Sequence, residues 1–123
     1  MSIRRLLFLS IILLLTATYV QPVTGIWTTR EPMPISSSEF GSATILGKMY
    51  SAGGYLFENQ NTFLIYDPRT NQWKRGPDLP QANHHSAVVA VADKLYVLGG
   101  HHVPSAVQIF DPATQKWSTG APV

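Results

Sequence analysis

The feature that most constrains the fold of this 123-residue chain is an internal repeat. The segment KMYSAGG at 48–54 returns as KLYVLGG at 94–100, and IYDPRTNQW at 65–73 returns as IFDPATQKW at 109–117. Tryptophans recur 46 and 44 residues apart, at Trp27, Trp73 and Trp117. Self-similarity at a fixed period of this size indicates a protein built from stacked copies of one supersecondary unit.

Each unit is predicted to contain four short strands. In the second unit the run SAVVAVA (86–92) is apolar on both parities, which predicts a strand buried on both faces, and its small residues predict a crowded position. KLYVLGG follows after a two-residue turn that is either Ala92-Asp93 or Asp93-Lys94, so the two strands are expected to form a hairpin. The same turn in the first unit is Leu46-Gly47.

The third and fourth strands flank an Asp-Pro turn in each unit. We expect the side chains of Asp67 and Asp111 to cap these turns, while proline pre-sets the backbone angle. The distance from the diglycine to this turn differs between the units, at 12 residues from Gly54 to Tyr66 and 10 from Gly100 to Phe110. Because length variation is tolerated in loops, a loop is predicted there.

Paired glycines inside a strand cost backbone entropy and bury no side chain. They are expected where another backbone or a large ring approaches closely. The glycines concerned are Gly53, Gly54, Gly99 and Gly100. The recurring aromatic residues are the candidates for such a ring, namely Tyr50, Tyr96, Trp73 and Trp117.

Together, the diglycine, the tyrosine three residues before it, the DPxT turn and the tryptophan six residues after its aspartate resemble the kelch repeat. The resemblance covers nearly all of residues 26–123, with one unit at about 35–75 and a second at about 82–119. It implies an all-β fold of kelch-type β-propeller blades, each a four-stranded antiparallel sheet. The SAVVAVA strand would lie nearest the propeller axis and the tryptophan strand at the outside.

Two complete blades make an incomplete propeller, because propellers close with about four to eight blades. Trp27 is expected to belong to the outer strand of a preceding blade. Either the chain is a piece of a longer protein, or identical chains self-associate to complete a ring. The first alternative is favoured, since stacked repeats usually need about three copies for stability.

Residues 1–25 have the order of a secretory signal peptide. Arg4 and Arg5 precede an apolar run, and the small residues Val23 and Gly25 precede a candidate cleavage site, which makes Ile26 the predicted mature start, with a cut after Ala17 as the alternative. The apolar stretch 6–20 is shorter than the ~20 residues that a membrane-spanning helix needs. The protein is therefore predicted to be secreted or otherwise extracytoplasmic, with no membrane span after cleavage.

Composition excludes several functional classes. Of the nine Lys and Arg, two lie in the predicted signal peptide. The remainder of the chain therefore has seven basic residues and seven Asp and Glu. This neutral balance argues against a nucleic-acid partner. The absence of cysteine removes disulfides, thiolate metal sites and cysteine nucleophiles.

Candidate binding residues gather at one end of the second-unit hairpin, which brings QANHHS beside HHVPS. With the Ala92-Asp93 turn His84 would face His101, and with the Asp93-Lys94 turn His85 would face His102. The loop GYLFENQN of the first unit is expected beside them. The residues predicted to bind a partner at this rim are His84, His85, His101, His102, Tyr55, Phe57, Glu58, Asn59 and Arg75.

Residues of this rim are compatible with three further roles. Two facing imidazoles suggest a metal, with Glu58 as a nearby oxygen ligand, but the sequence identifies no third ligand, so no metal site and no cofactor are predicted. Histidines that protonate together below about pH 6.5 would instead make the rim pH-sensitive. Tyr55 and Phe57 could stack on a sugar, although packing against a neighbouring blade is favoured.

No catalytic residue is predicted. Among kelch enzymes, galactose oxidase uses a tyrosine crosslinked to cysteine beside copper, and this chain has no cysteine. A sialic-acid mutarotase of kelch type would need Glu and Arg in a closed central cavity; Glu39, Glu58, Arg30 and Arg75 are present, yet no motif positions them. The prediction is an exported, non-enzymatic binding or scaffolding module that takes a protein or glycan partner through its blade loops. The alternative is the N-terminal fragment of a secreted kelch-propeller enzyme acting on carbohydrate.

Overall fold

A computed structural model describes residues 25–123, which form two four-stranded antiparallel sheets and one short hairpin. Blade 1 has the sheet order β1-β2-β5-β6 and consists of β1 (Gly41–Ile45), β2 (Lys48–Ala52), β5 (Phe63–Asp67) and β6 (Gln72–Arg75). Blade 2 has the order β7-β8-β9-β10 and consists of β7 (Ala87–Val91), β8 (Lys94–Leu98), β9 (Val107–Asp111) and β10 (Lys116–Thr119).

The predicted strands and the all-β fold class are therefore confirmed for both units. Between β2 and β5 the longer loop folds into a hairpin of its own, from β3 (Tyr55–Leu56) and β4 (Glu58–Asn59). Within residues 25–123 there is no helix long and apolar enough to cross a membrane. The predicted signal peptide falls almost wholly outside the described residues.

Two-residue turns set the register of both blades. β1 and β2 close at the pair Ile45–Lys48 around Leu46-Gly47, and β7 and β8 close at Val91–Lys94 around Ala92-Asp93. All four turn residues have positive φ, between 47° and 73°, as a type I′ turn requires. The Ala92-Asp93 alternative is thus the correct one, and it places His84 opposite His101.

The hydrophobic core lies between the two blades. Blade 1 contributes one face of its sheet, blade 2 contributes the opposite face of its own, and Leu79 of the connecting segment completes the cluster. The buried apolar residues include Tyr50, Phe63, Ile65, Leu95, Val97 and Phe110. Aromatic rings join the blades, since the Phe63 ring lies 4.7 Å from that of Phe110 and 4.9 Å from that of Trp117 between centroids.

Strand β7 differs from its prediction. Close packing is present, because a Cβ atom at Gly41 of β1 would overlap the side chain of Val88. Burial on both faces was wrong, however, since Val89 and Val91 are 41% and 55% exposed. One face of β7 packs on β1, and no other element of residues 25–123 covers the second.

The prediction that Trp27 belongs to the outer strand of a preceding blade stays a prediction, because no such blade is present among residues 25–123. Trp27 is fully exposed and lies outside the assigned strands. A strand needs a hydrogen-bonding partner strand. None of the strand pairings among residues 25–123 involves this segment.

Candidate functional site

One glycine of each pair makes room for Asn83, Gly54 faces Ser37 and Gly99 faces the backbone of Pro104, so the expected tyrosine or tryptophan ring was wrong. A Cβ atom at Gly53 would overlap the main-chain oxygen of Asn83, and one at Gly100 would overlap the Asn83 side chain. Asn83 is fully buried, and its carbonyl accepts a 2.9 Å hydrogen bond from Gly54 N. The half of the prediction that invoked an approaching backbone is confirmed.

Asn83 also organises the segment that carries the histidines. Its side-chain amide donates to the carbonyl of Gly99, and its Oδ1 accepts from the backbone nitrogens of His84 at 3.0 Å and His102 at 3.4 Å. One buried side chain thereby connects the entry of β7 to the exit of β8. The histidines on either side of it are held at the same end of the sheet.

All four histidines meet at this rim, as predicted. His84 is buried, and its ring stacks on that of His101 with 5.0 Å between centroids and 24° between planes. His85 lies 4.8 Å from His84, and His102 lies 5.3 Å from His101, between ring centroids. The backbone holds the pairing, because His101 N donates to His84 O at 3.0 Å.

Glu39 of blade 1 joins the histidines, a position that sequence reasoning did not assign. Its Oε2 lies 2.9 Å from Nδ1 of His84 and 3.4 Å from Nδ1 of His85. The backbone reinforces this approach, since His85 N donates to Glu39 O at 3.0 Å. The signal was the repeat itself: Glu39 precedes His85 by 46 residues, and both have a left-handed backbone, with φ of 58° and 55°.

The β3–β4 hairpin borders the histidines from blade 1. The Tyr55 ring lies 5.2 Å from that of His84, and Tyr55 exchanges backbone hydrogen bonds of 2.8 and 3.0 Å with Ser38. Phe57 is 91% exposed at the tip of the hairpin, where the chain reverses. Glu58 and Asn59 form β4, and Glu58 belongs to neither of the two groups of close metal-ligating side chains found among the described residues.

Arg75 has a different setting from the other predicted rim residues. It ends the outer strand β6, and its guanidinium makes two 2.9 Å hydrogen bonds to Asp78. Asp78 lies in the segment that connects the blades. This pair links the outer strand of blade 1 to the connection.

The other repeated residues have structural roles. The Trp73 indole donates to Glu31 O at 2.9 Å, and the Trp117 indole donates to Pro77 O at 2.8 Å, so each ties its outer strand to the segment that leads into its blade. Asp67 and Asp111 cap their turns through backbone hydrogen bonds of 3.0 and 2.8 Å. Burial raises the pKa of Tyr50.

Chemically, the rim offers three kinds of group within one small area. The imidazoles and the Glu39 carboxylate can hydrogen-bond a polar partner or ligate a cation. The hairpin adds exposed apolar surface through Tyr55, Leu56 and Phe57, which are 39%, 38% and 91% exposed. Such a combination of polar and aromatic groups is suited to recognition.

Comparison with known proteins identifies the repeat. The family model described as Kelch motif matches residues 36–80 and 82–123. An F-box/kelch-repeat protein of Arabidopsis thaliana is 33% identical over 89 residues, which cover 72% of this chain and 34% of that protein. The kelch-like protein terF of Aspergillus terreus is 32% identical over 114 residues, covering 80% of this chain and 25% of that protein.

The solved structure of YjhT superposes with a TM-score of 0.72 at 21% identity, covering 80% of this chain and 42% of that one. At this identity the likeness shows the fold alone. This chain spans about a third or less of the length of the curated relatives named above, at 34% and 25%.

Proposed function

Because this chain belongs to the kelch-repeat family, we propose that it is a non-enzymatic binding module that holds a protein partner at the rim between its two blades. The contact surface consists of the β3–β4 hairpin with Phe57 at its tip and the adjacent histidine rim. Kelch relatives include F-box and kelch-like proteins, which supports a role in protein interaction.

The single observation that carries this proposal is the conformation of Phe57. Eight non-glycine residues among those described have positive φ. For seven of them, the residue at the equivalent position of the other unit also has positive φ, and in one case that residue is a glycine. Phe57, at φ 62°, has no such counterpart because blade 2 lacks the hairpin. The strained backbone therefore belongs to the reversal of the β3–β4 hairpin, and the repeat architecture does not require an exposed aromatic residue at this turn.

A bulky residue in the left-handed region is unfavourable by of order 1–3 kcal/mol. Holding Phe57 there while leaving it 91% exposed brings no compensating burial within the described residues. Aromatic side chains are frequent anchors at the centre of protein interfaces, where a partner pocket buries them. A partner that covers Phe57 would supply that burial.

The test compares two exposed apolar positions at opposite ends of blade 1. The purified chain is first used to select binding proteins from a display library and from extracts, and affinity for each recovered protein is then measured for Phe57→Ala and Leu46→Ala. Leu46 is 68% exposed in the turn at the far end of the β1–β2 hairpin. We expect Phe57→Ala to cost about 2 kcal/mol of binding, which is the hot-spot threshold, and Leu46→Ala to leave binding unchanged.

Equal affinities for wild type and Phe57→Ala would contradict the proposed surface. A glycan array run in parallel addresses the partner class. Specific glycan binding that depends on Tyr55 and Phe57, without a protein partner, would replace a protein by a carbohydrate. That outcome would favour a carbohydrate-directed propeller.

We propose in addition that the chain is exported. The support is the charged, apolar and small-residue order of residues 1–25. Expression in a secreting host, followed by N-terminal sequencing of the protein in the medium, is expected to give a chain that starts at Ile26. Retention of the whole chain inside the cell would contradict export.

A further inference from the structure

We propose that Glu39, His84 and His85 form a binding site for a divalent transition metal such as Zn²⁺, bridging the two blades at the rim. The three donor atoms are Glu39 Oε2 and the Nδ1 atoms of both histidines. They lie 2.9 Å, 3.4 Å and 2.6 Å from one another. Nothing in the proposed binding-module function requires this site, so the two proposals stand separately.

The distances suit ligation of one ion. Zinc binds imidazole nitrogen at about 2.0–2.1 Å and carboxylate oxygen at about 2.0–2.2 Å in tetrahedral geometry, so two ligand atoms of one ion lie about 3.3–3.5 Å apart. The 3.4 Å separation of Glu39 and His85 matches this spacing, and the 2.9 and 2.6 Å separations would reach it through a shift of the His84 ring of less than about 1 Å. Imidazole and carboxylate are also common zinc ligands, and three protein ligands leave a fourth position for water or for a group of a partner.

Hydrogen bonds alone do not satisfy all three of these contacts in any one protonation state. A neutral imidazole has one N–H donor and one acceptor nitrogen, and an ionised carboxylate only accepts. If both Nδ1 atoms carry protons, the two N–H groups oppose each other at 2.6 Å. If one does, it donates to Glu39 Oε2 or to the other Nδ1, and the third contact still joins two acceptors; a metal ion would accept an electron pair from all three atoms.

The scaffold holds the three ligands in place before an ion arrives. Glu39 and His85 are joined by a backbone hydrogen bond of 3.0 Å, and His84 N is held by buried Asn83 at 3.0 Å. The His84 ring is fixed between His101, which stacks on it at 5.0 Å, and Tyr55 at 5.2 Å. Such outer contacts orient metal-ligating histidines in known sites.

A second group competes for the assignment. His84, His101 and His102 also bring one ligand atom each within 4.8 Å of the others. The group with Glu39 is preferred because it includes a carboxylate, which offsets the charge of the cation. The competition makes the experiment decisive, since the groups share only His84.

Zn²⁺ is titrated into the purified chain by calorimetry, and Co²⁺ is used to read coordination by visible absorption. The variants are Glu39→Gln and His85→Ala; these side chains are 39% and 58% exposed, so folding should persist and is checked by circular dichroism. The matched control is Glu58→Gln, which removes another carboxylate of the same rim. His101→Ala and His102→Ala test the competing group.

The expected result is one Zn²⁺ per chain, weakened at least about tenfold by Glu39→Gln and by His85→Ala, because even changes outside the ligands cost about 10–100-fold. Glu58→Gln should bind as the wild type does. Absence of binding to the folded wild type would overturn the site. Unchanged affinity in Glu39→Gln and His85→Ala, or a larger loss in His101→Ala and His102→Ala, would overturn the ligand assignment.

Discussion

Ile65 in blade 1 and Ile109 in blade 2 occupy equivalent positions, yet Ile65 is 2% exposed and Ile109 is only partly buried. Tyr50 and Tyr96 differ in the same way. The face of blade 1 that carries Ile65 packs against blade 2, whereas among residues 25–123 no other blade covers the matching face of blade 2, where Gly120 of the C-terminal segment lies against Ile109. Each repeat therefore supplies one side of an interface between blades. How deeply its side chains are buried depends on whether a neighbouring blade packs against them.

The largest expected difference between the blades is in the response of these two isoleucines to truncation. We expect Ile65→Ala to lower the free energy of unfolding by about 2–5 kcal/mol, because it opens a cavity in the core. Ile109→Ala should cost about 1 kcal/mol, since less apolar area is lost from a partly exposed position. Urea unfolding of both variants followed by circular dichroism measures the difference.

Equal costs would break the comparison and show that the open face of blade 2 is covered in solution. Light scattering on a sizing column then identifies the cover. A folded species of two to four chain masses with equal costs would mean that identical chains associate, as a completed ring requires. A monomer with equal costs would contradict the burial difference itself.

The next largest effect concerns Asn83 and its counterpart Ser37, which lie 46 residues apart beside equivalent glycines. Asn83→Ser is expected to destabilise by on the order of 1–3 kcal/mol, because it leaves the buried hydrogen-bonding partners of the amide unpaired. Ser37→Ala should cost well under 1 kcal/mol, since the Ser37 hydroxyl makes one 3.3 Å bond in an exposed setting. Thermal unfolding of the two variants compares them.

The NMR signals of the histidine rings give an independent control on the Asn83 result. Because Asn83 holds the backbone of His84 and His102, Asn83→Ser should also move the NMR signals of the histidine rings. Unmoved signals with full stability would show that the amide does not organise the rim. Ser37→Ala should leave those signals in place.

How far the sequence predicts this structure depends on whether a feature is local. Turn chemistry at Leu46-Gly47 and the short β-rich apolar runs are local, so the strands and the hairpins follow from them. The solvent exposure of Val89 depends on whether another blade covers it, which apolar composition does not reveal. The repeat places Glu39 at the position equivalent to His85, but its contact with the histidines of blade 2 depends on the packing of two blades, which no local motif encodes.

Replacement of either outer-strand tryptophan is expected to lower stability by a smaller amount, which should be the same in both blades. Trp73→Phe and Trp117→Phe each remove one indole hydrogen bond of 2.9 or 2.8 Å while keeping an aromatic ring. A loss of about 0.5–1.5 kcal/mol is expected for each in urea unfolding. A clearly larger loss at Trp117 would mean that its packing on Phe63 and Phe110 outweighs the shared hydrogen bond.

The smallest expected effect is a difference between the carboxyl pKa values of the two Asp-Pro turns. The aspartate of each turn pairs with a lysine at 3.4 Å. Arg69 additionally bonds the Asp67 carboxylate and lowers its pKa from 3.8 to about 2, whereas the pKa of Asp111 is lowered chiefly by the backbone N–H of Ala113. A depressed pKa stabilises the fold above the unfolded-state value, so this contribution is present above about pH 4 and is lost as the pH falls toward 2. Arg69→Ala should raise the pKa of Asp67 toward that of Asp111, and Ala113→Arg should lower the pKa of Asp111, as followed by carboxyl-carbon NMR titration. An Asp67 pKa that stays near 2 in Arg69→Ala would assign the difference to the turn backbone instead of the guanidinium.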